Sequence, residues 1–152
     1  MYIGDYFKKI NLKYKKHYFS GISFNSIECK RNNIFFAIKG SKIDGNKFIN
    51  EAIKKGAKTI VSDKKLEGFK NNILYIRSKN VRKLLSQTSY KITKYKPKNL
   101  VAVTGTNGKS SIVNFYLQIL RLNKIKAASI GTLGVDMDGS KKKVSNNTLN
   151  PI

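Results

Sequence analysis

The stretch VAVTGTNGKSSIVNF, residues 101 to 115, limits the fold more than any other part of the chain. A valine-rich run meets a glycine-bearing loop, which opens into apolar residues at helical spacing. A strand, a tight phosphate-gripping turn and a helix satisfy that order. Glycines at 105 and 108 let the backbone curl until successive N–H groups face one anion. A helix starting near Lys109 adds the positive end of its dipole. Lys109 would then reach the β- and γ-phosphates of ATP, and the Ser110 hydroxyl would ligand Mg²⁺. The candidate phosphate site is therefore Gly105, Thr106, Asn107, Gly108, Lys109, Ser110 and Ser111. Val103 stands where the full G-x-x-x-x-G-K-[ST] pattern has its first glycine. Spacing alone thus also allows a plain strand-to-helix turn with a surface lysine.

The preceding residues read as mixed α/β. GISFNSIE, NNIFFAIKG, KTIVSD and NILYIRS are short β-branched and aromatic runs with strand character. An amphipathic start spans Tyr2 to Ile10. NKFINEAIKKGA puts Phe48, Ile49, Ala52 and Ile53 on one helical face, with Gly56 at the cap position. Asn80 is placed to cap a helix carrying Val81, Leu84, Leu85 and Thr88. Pro97 breaks the pattern, which sets a domain boundary between 1–96 and 97–152. NLVAVTG reads as a strand buried on both faces of a parallel sheet. KAASIGTLG is the next strand, and DMDGSKKK suggests a hairpin tip holding Asp136 and Asp138.

A formal charge of +23 invites a nucleic-acid reading. The positive residues are mostly lysines spread along the whole chain, and no zinc finger, RNP signature or arginine-rich helix accompanies them. They read as a solvated face. Cys29 is the only cysteine, so an internal disulfide and a cysteine-rich metal site are excluded; it reads as an apolar filler. His17, equally alone, reads as a surface histidine. No stretch approaches the roughly 20 apolar residues that span a bilayer, and the start makes a poor signal peptide. A cytoplasmic location is expected.

TGTNGKSS resembles the T-G-T-N-G-K-[ST]-[ST] loop of the Mur ligase family, ATP-dependent amide-forming enzymes of peptidoglycan synthesis. That family characteristically lacks the first Walker glycine. NNIFFAIKGSKIDGNKFINEAIKKGAKTIVSD is similar to the family's N-terminal F-x-A-x-x-G…D-G-x-x-F-I block, which folylpolyglutamate synthases, with a like loop, do not have. SIGTLGV, residues 129 to 135, is similar to the MurE-type branch, whose members add the third stem residue; a MurF-type segment or a stand-alone P-loop nucleotide-binding protein are the alternatives. The resemblance covers essentially the whole chain. It implies a fold of a small N-terminal α/β UDP-binding domain followed by the first β-(P-loop)-α-β unit of a truncated parallel-sheet ATPase domain.

The resemblance also implies residue roles. Asn25, Ser26 and Ile27 match the family's [DT]-S-R triplet, whose serine helps hold the uridine diphosphate part of the substrate; Ile27 replaces the arginine. Ser41, Lys42 and Ile43 match the segment lying against the uracil. Asn46 stands where the family often has histidine, and it suits a helix cap. Asn146, Asn147 and Thr148 match a segment contacting the substrate's sugar and peptide. The implied partners are a UDP-N-acetylmuramoyl dipeptide and an amino acid, diaminopimelate or lysine. The implied reaction phosphorylates the terminal carboxylate with ATP and Mg²⁺, and the incoming amine then attacks the acyl phosphate, with Lys109 as the catalytic cation. Family members are much longer, with a further metal site and an amino-acid-binding domain beyond the region matched here. The chain is expected to be part of a ligase that is monomeric at full length, and to be inactive alone.

Overall fold

A computed structural model of the chain describes residues 1–8, 10–41, 43–137 and 139–142. The described residues separate into two compact units, Met1–Tyr95 and the residues from Lys96 onward.

The first unit is built on a five-stranded sheet of β1 (Gly21–Ser23), β2 (Asn33–Phe36), β3 (Thr59–Ser62), β4 (Gly68–Lys70) and β5 (Ile73–Arg77). Their spatial order is β1-β2-β3-β5-β4. Neighbours run parallel, with Ile34 opposite Thr59 and Val61 opposite Ile76, except that β4 returns antiparallel to β5. The mixed α/β, mostly parallel expectation is met. All four residues of β2 are buried because side chains alternate between two covered faces. Ile34 and Phe36 join a core with Ile3, Phe7, Phe19, Val61, Leu74, Val81 and Leu85. Phe35 and Ala37 join a second core with Cys29, Ala52, Ala57 and Ile60. Full burial of one such aliphatic or aromatic side chain contributes roughly 1.5–3 kcal/mol, so this layer stabilises the unit.

Helices α1 (Ile3–Tyr6), α2 (Ile49–Lys54) and α3 (Val81–Ile92) complete it. Asn80 caps α3 as expected, its Oδ1 accepting from Lys83 N at 2.9 Å. Thr88 and Ser89 are buried in α3 because their hydroxyls donate to the carbonyls of Leu84 and Leu85. Helix α2 ends at Gly56, whose φ of +110° suits glycine. A Cβ there would also lie 2.9 Å from Arg31 Cα. Strand β4, not anticipated, is joined to β5 by Asn71 and Asn72, both with positive φ, as a primed hairpin turn requires. Two sequence expectations change here. Phe48 is 38% exposed, while Ile49, Ala52 and Ile53 do pack inward. His17 is half-buried rather than a surface group, with its ring edge-on to Phe69 at 5.3 Å. Burial holds its pKa below the usual value. Cys29 is buried as expected, and burial pushes its thiol pKa up.

The second unit consists of α4 (Lys109–Leu122) and an antiparallel meander of β6 (Ala128–Gly131), β7 (Gly134–Met137) and β8 (Ser140–Lys142). The run 99–103 is not a strand, and Leu100 and Val101 are 87% and 62% exposed. A strand needs a ladder partner for its backbone groups. None of the described strands pairs with this run, so apolar composition alone does not make it β. The expected parallel β-loop-α-β unit is accordingly replaced here by loop, helix and hairpins.

Candidate functional site

Strands β1, β2 and β3 are parallel neighbours, so the segments leaving their carboxyl ends lie side by side. That end of a parallel sheet is where ligands collect, because loops there can diverge around a crevice. Ser26 follows β1, Ser41 and Ile43 follow β2, and Asp63 follows β3. Asn25 Oδ1 accepts from the Ile27 N–H at 3.1 Å, and Ser23 Oγ donates to the Asn25 carbonyl at 2.7 Å. Ser26 is 5% exposed and donates to Glu51 Oε2 at 2.7 Å. Ile27 is 69% exposed and offers no charge.

The loop holding Ser41 and Ile43 is closed by a bridge between Lys39 and Asp44 and by Gly40 N–H donating to the Ile43 carbonyl at 2.9 Å. Gly45 lets the chain turn back onto Ile38, whose carbonyl oxygen would lie 2.6 Å from an added Cβ. Lys42, Asn146, Asn147, Thr148 and Asp138 lie outside the described residues. Asn46 is not the cap. Asp44 is, its Oδ1 accepting from Asn46 N at 2.9 Å, and that bond is the main reason its carboxyl pKa lies below the usual value. The Asn46 amide instead donates to both Asp44 and Asp63 at 2.9 Å, tying the loops after β2 and β3 together. Sequence reasoning missed Glu51 and Asp63, since each is one acid in a polar stretch until the fold pairs it.

In the second unit, Gly108 is the N-cap of α4 with φ +74°, ψ −7°, and it supplies no side-chain cap. The first intrahelical bond runs from Ile112 N to the Gly108 carbonyl at 2.9 Å. The N–H groups of Lys109, Ser110 and Ser111 therefore have no partner within the helix. Lys109 folds back so that its ammonium donates to the carbonyls of Gly105 and of Thr106, the latter at 2.9 Å. Thr106 and Asn107 complete an exposed loop. Free N–H groups, a helix N-terminus and an ammonium on one glycine loop fit a nucleotide phosphate chain.

Ser110 Oγ lies within hydrogen-bond distance of Thr132 Oγ1, at 3.3 Å, and both residues line a pocket of about 220 Å³. Val103, Lys109, Val113, Asn114 and the turn between β6 and β7 line that pocket. The Ser110 and Thr132 hydroxyls are hard oxygen donors of the type Mg²⁺ takes alongside phosphate and water. Among the described residues no group of three His, Cys, Asp or Glu could hold a metal. Thr132 was not singled out from sequence, although SIGTLGV contains it. Asp136 corrects an expectation. It is not a hairpin-tip residue but a buried member of β7, 2.5 Å from Arg121 on α4, and it fastens strand to helix.

Comparisons with known proteins place the chain among relatives. The model of the "Mur ligase family, catalytic domain" matches residues 18–90. A "UDP-N-acetylmuramoyl-L-alanyl-D-glutamate--2,6-diaminopimelate ligase" of Rickettsia prowazekii (strain Madrid E) is 41% identical over 143 residues, or 94% of this chain. The chain carries a Mur ligase family domain. The Mur ligase model falls wholly in the first unit, so the identity over 94% of the chain is what extends the relation to the phosphate loop. The like-named protein of Rickettsia felis is 45% identical over 132 residues, covering 85% of the chain. The chain spans 28% and 24% of the lengths of these two Mur ligase relatives.

A solved structure of a like-named diaminopimelate ligase shares the fold with a TM-score of 0.73 at 24% identity, over 94% of this chain and 29% of that one. The MurF ligase of Thermotoga maritima in complex with ADP gives a TM-score of 0.54 at 27% identity, over 69% of this chain and 24% of that one. The family resemblance read from TGTNGKSS and the F-x-A-x-x-G block is borne out. Among the described residues no helix is long and apolar enough to cross a membrane.

Proposed function

We propose that this chain supplies the nucleotide-anchoring domain and the phosphate loop of an ATP-dependent amide ligase. Its substrate would be UDP-N-acetylmuramoyl-L-alanyl-D-glutamate, and the amine acceptor diaminopimelate, as the names of the Rickettsia relatives suggest. Residues 1–96 bind the UDP end, and the segment from 97 begins the ATP-binding domain. The observation that carries this reading is the loop: a left-handed Gly108 at the start of α4, with the Lys109 ammonium lying over it.

Lys109 exchanges its loop carbonyls for phosphate oxygens and neutralises charge as the γ-phosphoryl moves to the D-glutamate carboxylate. Gly105, Thr106, Asn107, Gly108 and Ser111 cradle the phosphates through backbone N–H groups, and Ser110 with Thr132 would hold Mg²⁺. Bound Mg²⁺ supplies charge neutralisation and orientation of the β- and γ-phosphates. Ser26, Ser41, Lys42 and Ile43 seat the UDP moiety, while Asn146, Asn147 and Thr148 reach sugar and peptide. Both nucleotides are cytoplasmic metabolites, so the enzyme works in the cytoplasm.

The test is titration of the chain with UDP-N-acetylmuramoyl dipeptide and, separately, with ATP–Mg²⁺. Binding of both, with ATP binding lost in Lys109→Ala and dipeptide binding weakened in Ser26→Ala, is expected. ATP binding with no dipeptide binding at millimolar ligand would instead favour a stand-alone nucleotide-binding protein.

A further inference from the structure

Within residues 23–27 four hydrogen-bond donors, the Ser26 hydroxyl among them, are committed inside the protein. The Asn25 N–H donates to Ser23 Oγ at 3.1 Å, the Ile27 N–H to Asn25 Oδ1 at 3.1 Å, and Ser23 Oγ to the Asn25 carbonyl at 2.7 Å. The only proton of the Ser26 hydroxyl goes to Glu51 at 2.7 Å. A carboxylate can only accept, so the direction of this bond is fixed by chemistry. Ser26 is 5% exposed, so water does not compete freely for that bond. What remains on its oxygen is lone-pair capacity. A diphosphate at neutral pH is rich in acceptors, and it is also repelled by a neighbouring carboxylate.

We propose that Glu51 is a positioning residue that turns Ser26 into an acceptor, so that Ser26 reads a hydrogen-bond donor of the uridine moiety and not the diphosphate. This rests on the reading that the first unit binds the UDP end of the substrate. Uridine carries two kinds of donor, the imide N3–H of uracil and the ribose hydroxyls. Both are met by one serine lone pair, and neither needs a cation. Glu51 stands on the first turn of α2, which follows in sequence the loop closed by Lys39 and Asp44, so one helix sets the polarity of a residue that follows β1. The chain has 31 lysines and arginines against 8 acids. A carboxylate held against the buried Ser26 hydroxyl in so basic a chain therefore has a local task.

The experiment measures binding of UDP, N3-methyl-UDP and 2′,3′-dideoxy-UDP to the whole chain, for wild type, Glu51→Ala, Glu51→Gln and Ser26→Ala. One analogue is expected to lose about tenfold or more against wild type, the equivalent of one hydrogen bond, and the analogue affected names the donor. Glu51→Ala and Ser26→Ala should shrink that ratio to about threefold or less, and Glu51→Gln should restore it through its amide oxygen. Equal affinity of wild type for all three ligands, or an undiminished ratio in Glu51→Ala, overturns the proposal. Failure of wild type to bind UDP at all would instead overturn the assignment of the first unit to UDP. A circular dichroism melt of each variant separates these outcomes from unfolding.

Discussion

The two units use similar apolar runs to opposite ends. In the first, β2 is buried on both faces and two separate cores close over it. In the second, α4 is apolar on most sides, yet Leu117 is its only buried residue, and Ile112, Phe115, Tyr116 and Ile119 are all about half exposed or more. The difference lies in partners. Asn33–Phe36 has a strand on each side and a helix layer on both faces, whereas residues 99–103 have no strand beside them among the described residues. The loop from Gly105 to Gly108 needs only its own glycines and the start of α4, and these form locally.

The contrast breaks first in the cores. Phe36→Ala, at a fully buried site, should cost about 3–5 kcal/mol of the first unit's stability in urea unfolding. Ile119→Ala, at an exposed one, should stay within about 0.5 kcal/mol; a large loss at Ile119 would mean that α4 is covered in solution. Next, Lys109→Ala should weaken ATP–Mg²⁺ binding by about tenfold or more through loss of charged hydrogen bonds, while the first unit's unfolding midpoint stays unchanged.

Gly56→Ala forces a side chain onto a φ of +110° and against Arg31. It should destabilise the first unit by roughly 1–3 kcal/mol; Gly139→Ala, with open space around it, should cost less because only its φ of +86° is at issue. The smallest effect concerns His17. Its folded pKa lies below the ordinary 6.5 because burial disfavours the charged ring. The unfolded state therefore binds more protons, and the contribution is complete above about pH 6.5 and lost as pH falls toward the folded pKa. Unfolding of wild type should show this downturn below pH 6.5, and His17→Gln should flatten it.

Sequence made the first unit readable because its signals are local. Asn80, Gly56 and the β-branched and aromatic run in NNIFFAIKG each predict one feature, and the structure has all three. It failed where an outcome depended on distant groups. NLVAVTG has strand composition without a partner strand, and GFK forms β4 only because Asn71 and Asn72 turn it against β5. The glycine loop was legible as a motif. The pairings Ser26–Glu51, Asn46–Asp63 and Ser110–Thr132 span 25, 17 and 22 residues, and no periodicity encodes them.

The single thiol, sealed in the second core of the sheet unit at 6% exposure, gives the molecule an internal clock. An alkylating reagent can reach Cys29 only when that core opens, and it can report nothing else because no other cysteine competes. When opening and closing are fast against alkylation, the labelling rate measures the open fraction of the first unit. A UDP-linked ligand that binds the closed form should slow that rate in proportion to its occupancy. Substrate binding thus becomes measurable by mass spectrometry on the intact chain, with no turnover required.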